Sequence, residues 1–162
     1  VAAQDYLKSQ RVNATIITTE LTGEAREKGH WLGVIAKNLV WHNDPFPKPG
    51  CLIAGGETTV TITGSGHGGR NQEMALSAVK ELASIPNIYL ITLATDGGDG
   101  PTDAAGAVVT GKTLGRAKAL GLDPDRYLIQ NDSYHFFESL GDLIFTGPTQ
   151  TNVNDLLFLF AF

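Results

Sequence analysis

The chain has 162 residues, 42% hydrophobic and 18% charged, a balance that supports one globular domain with a core and excludes a disordered one. Its net charge of -5, with no basic cluster, argues against a nucleic-acid surface, and its apolar runs are too short to span a bilayer. The single cysteine, Cys51, excludes an internal disulfide framework and fits a reducing cytoplasm, the expected location.

The opening residues lack the charged and apolar regions of a signal peptide, and they read as the tail of an element already under way. Met74 is the only methionine, so the chain is expected to be a processed product or a piece of something longer. The β-branched stretch Val12–Thr19 predicts a strand. A helix follows from Thr22 to about Val40, with Ala25, Leu32, Ile35, Ala36 and Leu39 at helical spacing. The proline-rich stretch Asn43–Gly50 is a connector. Cys51–Ala54 and Glu57–Thr63 read as strands on either side of Gly55 and Gly56, then comes a helix over Arg70–Ala83 and a strand over Ile88–Ala94. An acidic loop, Thr95–Asp103, leads to a strand over Ala105–Thr110 and a helix over Lys112–Leu120. Asp123-Pro-Asp125 opens another helix, and Asp132 is placed to cap a third over Ser133–Leu140. Leu143–Thr146 and Asp155–Phe160 supply the last strands. This alternation predicts an α/β domain of three layers, α/β/α, around a mixed sheet. Its polar loops follow strand ends, where open α/β sheets bind ligands.

The run Gly64-Ser-Gly-His-Gly-Gly-Arg-Asn-Gln-Glu73 carries the most chemistry. Glycines ahead of a helix let backbone N–H groups approach an anion, the helix N-terminus adds partial positive charge, and Arg70 adds a planar, fully charged fork. Gly64, Gly66 and Gly69 also satisfy G-x-G-x-x-G, so a dinucleotide-binding turn and a ligand-free glycine turn stay open beside the anion site. A second match, Gly106–Thr113 to the phosphate-loop pattern, is a coincidence, because Ala107–Thr110 are themselves strand material that resists tight curvature. Asp96, Asp99 and Asp103 lie close together among glycines; such carboxylates either take up Mg²⁺ with phosphate oxygens and water, or cap turns. His30, His42, His67 and His135 have no zinc-ligand spacing. Asn131-Asp-Ser-Tyr134 and Thr149–Asp155 are polar loops able to meet a hydroxylated substrate or to serve as turns.

Taken together, Gly55-Gly-Glu-Thr-Thr-Val60, Gly66–Glu73, Thr95–Ala107, Asn131–Tyr134 and Thr146–Asp155 resemble the MOFRL domain. That is the C-terminal domain of the glycerate 2-kinases, which are often labelled hydroxypyruvate reductases. Leu21–Glu27 resembles the segment that joins this domain to its N-terminal partner. The resemblance implies a joining region over 1–50, carrying a strand and a helix, and a MOFRL-like domain over 51–162. It further implies phosphorylation of D-glycerate at its 2-hydroxyl by ATP with Mg²⁺, in a cleft between two α/β domains. Phosphoryl transfer of this kind rests on positioning and charge neutralisation. Arg70, which matches the family's motif arginine, and Asp96 are then the expected catalytic residues. Gly66, Gly68, Gly69, Asn71, Asn131, Thr149 and Asn152 are the expected substrate or phosphate contacts, and Asp96, Asp99 and Asp103 the expected metal ligands, the aspartate roles following from chemistry alone. Position 67 departs from the family, which commonly has a basic residue where this chain has His67. The family's N-terminal domain and its lysine are absent from the chain, so it is expected to be inactive alone and to need that domain as a partner. Self-association is compatible with the sequence. The competing readings are a nicotinamide-dependent hydroxypyruvate reductase and a non-enzymatic module that binds a metabolite or a partner chain.

Overall fold

A computed structural model describes all residues, 1–162. In chain order it contains α1 (Ala2–Ser9), β1 (Asn13–Leu21), α2 (Ala25–His42), β2 (Gly50–Gly56), α3 (Arg70–Ala78) and β3 (Ile88–Ala94). There follow β4 (Gly106–Thr110), α4 (Thr113–Ala119), α5 (Pro124–Ile129), α6 (Ser133–Leu140), β5 (Leu143–Ile144) and β6 (Asp155–Ala161).

Asp155–Ala161 is apolar on both faces after its first residue, the pattern of a strand covered on each side. It lies inside the sheet, whose order is β1-β2-β6-β3-β4-β5. Only β1 and β2 run parallel; β6 is antiparallel to both β2 and β3, and β4 to both β3 and β5. One face, built from Leu52, Ala54, Leu157, Leu159, Leu90 and Val109, shares a core with Leu32 and Leu39 of α2, Met74 of α3, and Phe136 and Phe137 of α6. The opposite face, with Ala14, Cys51, Ile53, Phe158 and Phe160, is covered by Ala3 and Leu7 of α1. The result is the expected three-layer arrangement on a mixed sheet, with a thin outer layer. Cys51 is fully buried, and burial pushes its thiol up to about 12, so it is a packing residue as the sequence implied. No helix is long and apolar enough to cross a membrane.

Helix ends follow local chemistry. The Asp123 side chain accepts the Asp125 N–H at 3.1 Å with Pro124 opening α5, and α6 ends at Gly141 with φ 70°. Helices α2 and α3 meet closely because Gly29 has no side chain. A Cβ there would lie 1.9 Å from Ser77 Oγ and 2.1 Å from the Met74 carbonyl oxygen. Gly29→Ala is therefore expected to push the helices apart and destabilise the domain by roughly 1–3 kcal/mol, read from the urea midpoint. An unchanged midpoint would show that the crossing is loose.

Several expected boundaries shift. Residues 1–50, expected as a joining region with a strand and a helix, place β1 in the sheet and α2 in the main core, while α1 packs on the opposite sheet face. Glu57–Thr63, read as a strand, leaves the sheet at Gly56, whose φ of 152° turns the chain; only Thr59 keeps a bridge, its N–H donating to the Gly23 carbonyl and its carbonyl accepting Ala25 N–H. The segment's other polar groups turn instead to Glu24, whose carboxylate accepts from Thr61 N–H at 3.1 Å and from the Thr59 and Thr61 hydroxyls at 3.1 and 3.0 Å. Helix α3 stops at Ala78, short of Ala83, and β5 at Ile144, short of Thr146. Gly106–Thr110 is a laddered strand, so the phosphate-loop match is the coincidence expected.

The register fixes what gathers at one end of the sheet. Gly56 and Ala94 both pair with Asp155, from either side. The loop after β2, the acidic loop after β3 and the polar loop before β6 thus emerge next to one another.

Candidate functional site

Arg70, the first residue of α3, is gripped by Asp155, the first residue of β6. Its Nε donates to Asp155 Oδ2 at 2.6 Å and its Nη2 to Oδ1 at 3.0 Å, a two-toothed pair. Glu57 Oε1 stands 3.4 Å from Nη1. The hydrogen bonds that Arg70 donates to Asp155 raise its pKa, so the guanidinium is a permanent charge. Asn71 Nδ2 then links two carboxylates, donating to Asp155 Oδ1 at 2.9 Å and Asp99 Oδ1 at 3.1 Å. Asp99, only 1% exposed, also accepts the N–H groups of Asn71 at 3.0 Å and Gln72 at 2.8 Å. Burial pushes its carboxyl up to about 6, against those donors, which favour the charged form. The first turn of α3 therefore holds the chain's own carboxylate where the glycine motif suggested a ligand's phosphate.

The glycines of the motif serve close approach. A Cβ on Gly66 would lie 2.4 Å from Asp132 Cβ, one on Gly68 2.1 Å from Ser133 Oγ, and one on Gly69 2.3 Å from Asp99 Cγ. Asn131 locks the same loop from α6's side. Its Oδ1 accepts Thr63 N–H at 2.8 Å and Gly64 N–H at 2.9 Å, and its Nδ2 donates to Glu73 at 2.8 Å. Buried Glu73 is balanced by Arg26 Nε at 2.9 Å. Between these walls lies a cleft of about 760 Å³, bordered by Thr22, Glu57, Thr59, Gly69, Arg70 and Glu73 among others. Thr58, also on this border, is 3% exposed and its hydroxyl has no partner.

The expected polar positioners fall into two groups. Arg70, Asn71, Asn131 and Gly66, Gly68 and Gly69 belong to the cleft or its supporting network, although the side chain of Asn131 is spent on the loop. Asp96 and Thr149 meet at the adjoining loops, while Asn152 lies in the same polar loop as Thr149. The Thr149 N–H donates to the Asp96 carbonyl at 3.1 Å, and Asn152 Oδ1 accepts Asn154 N–H at 3.0 Å. Exposed Asp96 uses Oδ1 for Gly98 N–H at 3.2 Å, leaving Oδ2 free. The expected metal trio does not converge: no three His, Cys, Asp or Glu side chains are placed to hold an ion. Asp99 is turned inward as a helix cap, and Asp103 accepts the Tyr134 hydroxyl at 3.0 Å. These residues fit a metal carried in by phosphate groups, with Asp96 and Asp103 each exposed and keeping one carboxylate oxygen open. They do not fit a cage of their own.

Sequence reasoning missed Asp155, Glu57 and the Arg26–Glu73 pair. Asp155 did carry a signal, being a lone carboxylate at the head of an otherwise apolar strand. Glu57 and Arg26 lie within the Gly55–Val60 and Leu21–Glu27 segments of the resemblance, but nothing local gave them a role, because their partners are distant in sequence.

The mixed six-stranded sheet with helices on both faces, and an arginine held beside an open cleft at one sheet end, defines the class as an α/β domain. Residues 50–155 match the MOFRL family model, and the chain belongs to that family. A Thermotoga maritima protein named D-glycerate 2-kinase is 50% identical over 155 residues, 96% of this chain and 37% of that protein. An Agrobacterium vitis protein provisionally named a hydroxypyruvate reductase is 43% identical over 143 residues, 87% of this chain and 33% of that protein. The crystal structure of a Thermotoga maritima glycerate kinase matches with a TM-score of 0.97 at 49% identity, over 99% of this chain and 39% of that one. The chain thus spans little more than a third of the length of these relatives.

Proposed function

We propose that this chain supplies one wall of a glycerate 2-kinase cleft, the other wall coming from a further domain like that in the longer relatives. The reaction moves the γ-phosphoryl group of ATP to the 2-hydroxyl of D-glycerate. The hydroxyl oxygen forms the new P–O bond, the bond to the ADP leaving oxygen breaks, and the hydroxyl proton goes to a base. One observation carries the reading: the Arg70 fork, fixed by Asp155, faces the open cleft at the sheet end where the acidic and polar loops gather. A charge held in place before reaction stabilises developing phosphoryl charge without reorganisation. Asp96, with a free carboxylate oxygen, serves the acceptor hydroxyl. Magnesium, when bound, would neutralise phosphate charge, with the open oxygens of Asp96 and Asp103 as the protein carboxylates within this loop able to help hold it. Thr149 and Asn152 position substrate beside it. Asp99 acts on the site through α3, and Asp103 also through Tyr134.

The dinucleotide reading loses its physical basis in the same geometry. The N–H groups that would hold a pyrophosphate already bind Asp99, and no strand leads into the glycines. The test is glycerate-dependent ADP formation by this chain, alone and mixed with the upstream domain of the Thermotoga maritima relative. Turnover is expected only on mixing. Robust turnover by the chain alone would refute the half-cleft, and silence of an associated mixture would refute the kinase reading.

A further inference from the structure

Arg70 is held from two sides by unlike partners. Asp155 is nearly buried, with a side chain 8% exposed, and binds through both oxygens at 2.6 and 3.0 Å. It is built into the sheet register and steadied by Asn71. Glu57, just past the end of β2, has a side chain 58% exposed and offers one oxygen at 3.4 Å. A pair so open to water is screened and weak, whereas the bidentate one is directional and shielded. Asp155 takes the Nε edge of the fork and leaves the Nη1 N–H groups, which are the ones Glu57 touches. Glu57 borders the same cleft as Arg70, so an anion approaching Nη1 meets this carboxylate first.

Resting on the reading of Arg70 as the contact for an anionic substrate group, we propose that Glu57 is a built-in competitor. It occupies the Nη1 edge of Arg70 while the cleft is empty and yields that edge to phosphate, while Asp155 keeps its grip throughout. Two consequences follow from the charges. A multiply charged phosphate displaces Glu57 more readily than a singly charged carboxylate, so the contact sorts ligands by charge. Removing the competitor strengthens binding, the opposite of what removal of a substrate contact does.

The experiment titrates the 162-residue chain with inorganic phosphate and follows the Arg70 Nε–Hε NMR signal in the parent and in Glu57→Gln. The variant is expected to bind phosphate roughly 2- to 5-fold more tightly at low salt, the gain fading as ionic strength rises. Its Arg70 signal should stay protected from solvent exchange, since Asp155 is intact; Asp155→Asn should lose that protection. Equal or weaker phosphate binding by Glu57→Gln overturns the competitor and leaves Arg70 as an anion contact. If phosphate moves the Arg70 signal in neither protein, the reading of Arg70 falls and the competitor with it.

Discussion

Arg70→Ala, assayed with the complementing upstream domain, is expected to lower glycerate-dependent ADP formation by about 10²–10³-fold, the cost of losing a preorganised donor to developing charge. The same change strands the nearly buried Asp155, its side chain 8% exposed, without its counter-charge. Breaking a fully buried pair costs about 3–5 kcal/mol. Because the Arg70 side chain is 31% exposed, the cost here falls below that range. Lost activity and lost stability must therefore be separated. Arg70→Ala combined with Asp155→Asn removes the stranded charge and should recover much of the stability without recovering turnover. Arg70→Lys keeps the charge but loses the fork, and should fold while remaining at least about tenfold slower. Turnover by Arg70→Ala within threefold of the parent would take Arg70 out of the reaction. Recovery of turnover in the double variant would show that the single one had only failed to fold.

The parts of the molecule legible in the sequence are those whose cause is local. Helix α5 announces itself through Asp123 and Pro124, and β3 and β6 through apolar runs bounded by polar loops. Arg70 stands out because glycines and a helix start surround it. The acidic loop was legible as a cluster and illegible as geometry. Asp99 and Asp103 are four residues apart, yet one turns inward to cap α3 and the other meets Tyr134, because each finds its partners on a different element. Glu57–Thr63 shows the opposite failure. Its Thr-rich alternation is sound strand chemistry, but the chain turns out of the sheet at Gly56, Thr59 keeps a single bridge beside Glu24, and the Glu24 carboxylate takes Thr61 N–H and the threonine hydroxyls. The glycines needed tertiary context as well: their spacing suggests a phosphate cradle, while their crowding against Asp132, Ser133 and Asp99 explains why no side chain fits.

Asp99 is expected to make stability and the proposed turnover respond to pH in opposite directions. Its carboxyl titrates at about 6 in the folded chain against an ordinary value of 3.8, chiefly because it is buried. Between those values the folded state binds more protons than the unfolded one, so stability is greatest below about 4 and falls as pH rises through 6. The full fall is on the order of 3 kcal/mol, at about 1.4 kcal/mol per pH unit of displacement. Asp99→Asn, a neutral mimic of the protonated carboxyl, should lack it. Urea unfolding of both proteins at pH 4.5 and 7.5 should therefore show the parent losing ground to the variant at the higher pH. The opposite trend would mean that the N–H groups of Asn71 and Gln72 outweigh burial. Glu81, held below the usual range mainly by its bond to Lys37, adds a slope of the other sign, but it is common to both proteins and cancels in the difference. The ionised form has a use that offsets this instability. The carboxylate accepts more strongly than the acid from both backbone N–H groups and from Asn71 Nδ2, and Asn71 steadies the Asp155 that aims Arg70. Turnover of the complemented enzyme is thus expected to rise with pH through about 6 while the fold weakens, and Asp99→Asn should flatten both curves. A residue kept charged at a cost to the fold, one contact away from the arginine clamp, is what a domain shaped for the site more than for its own stability would carry.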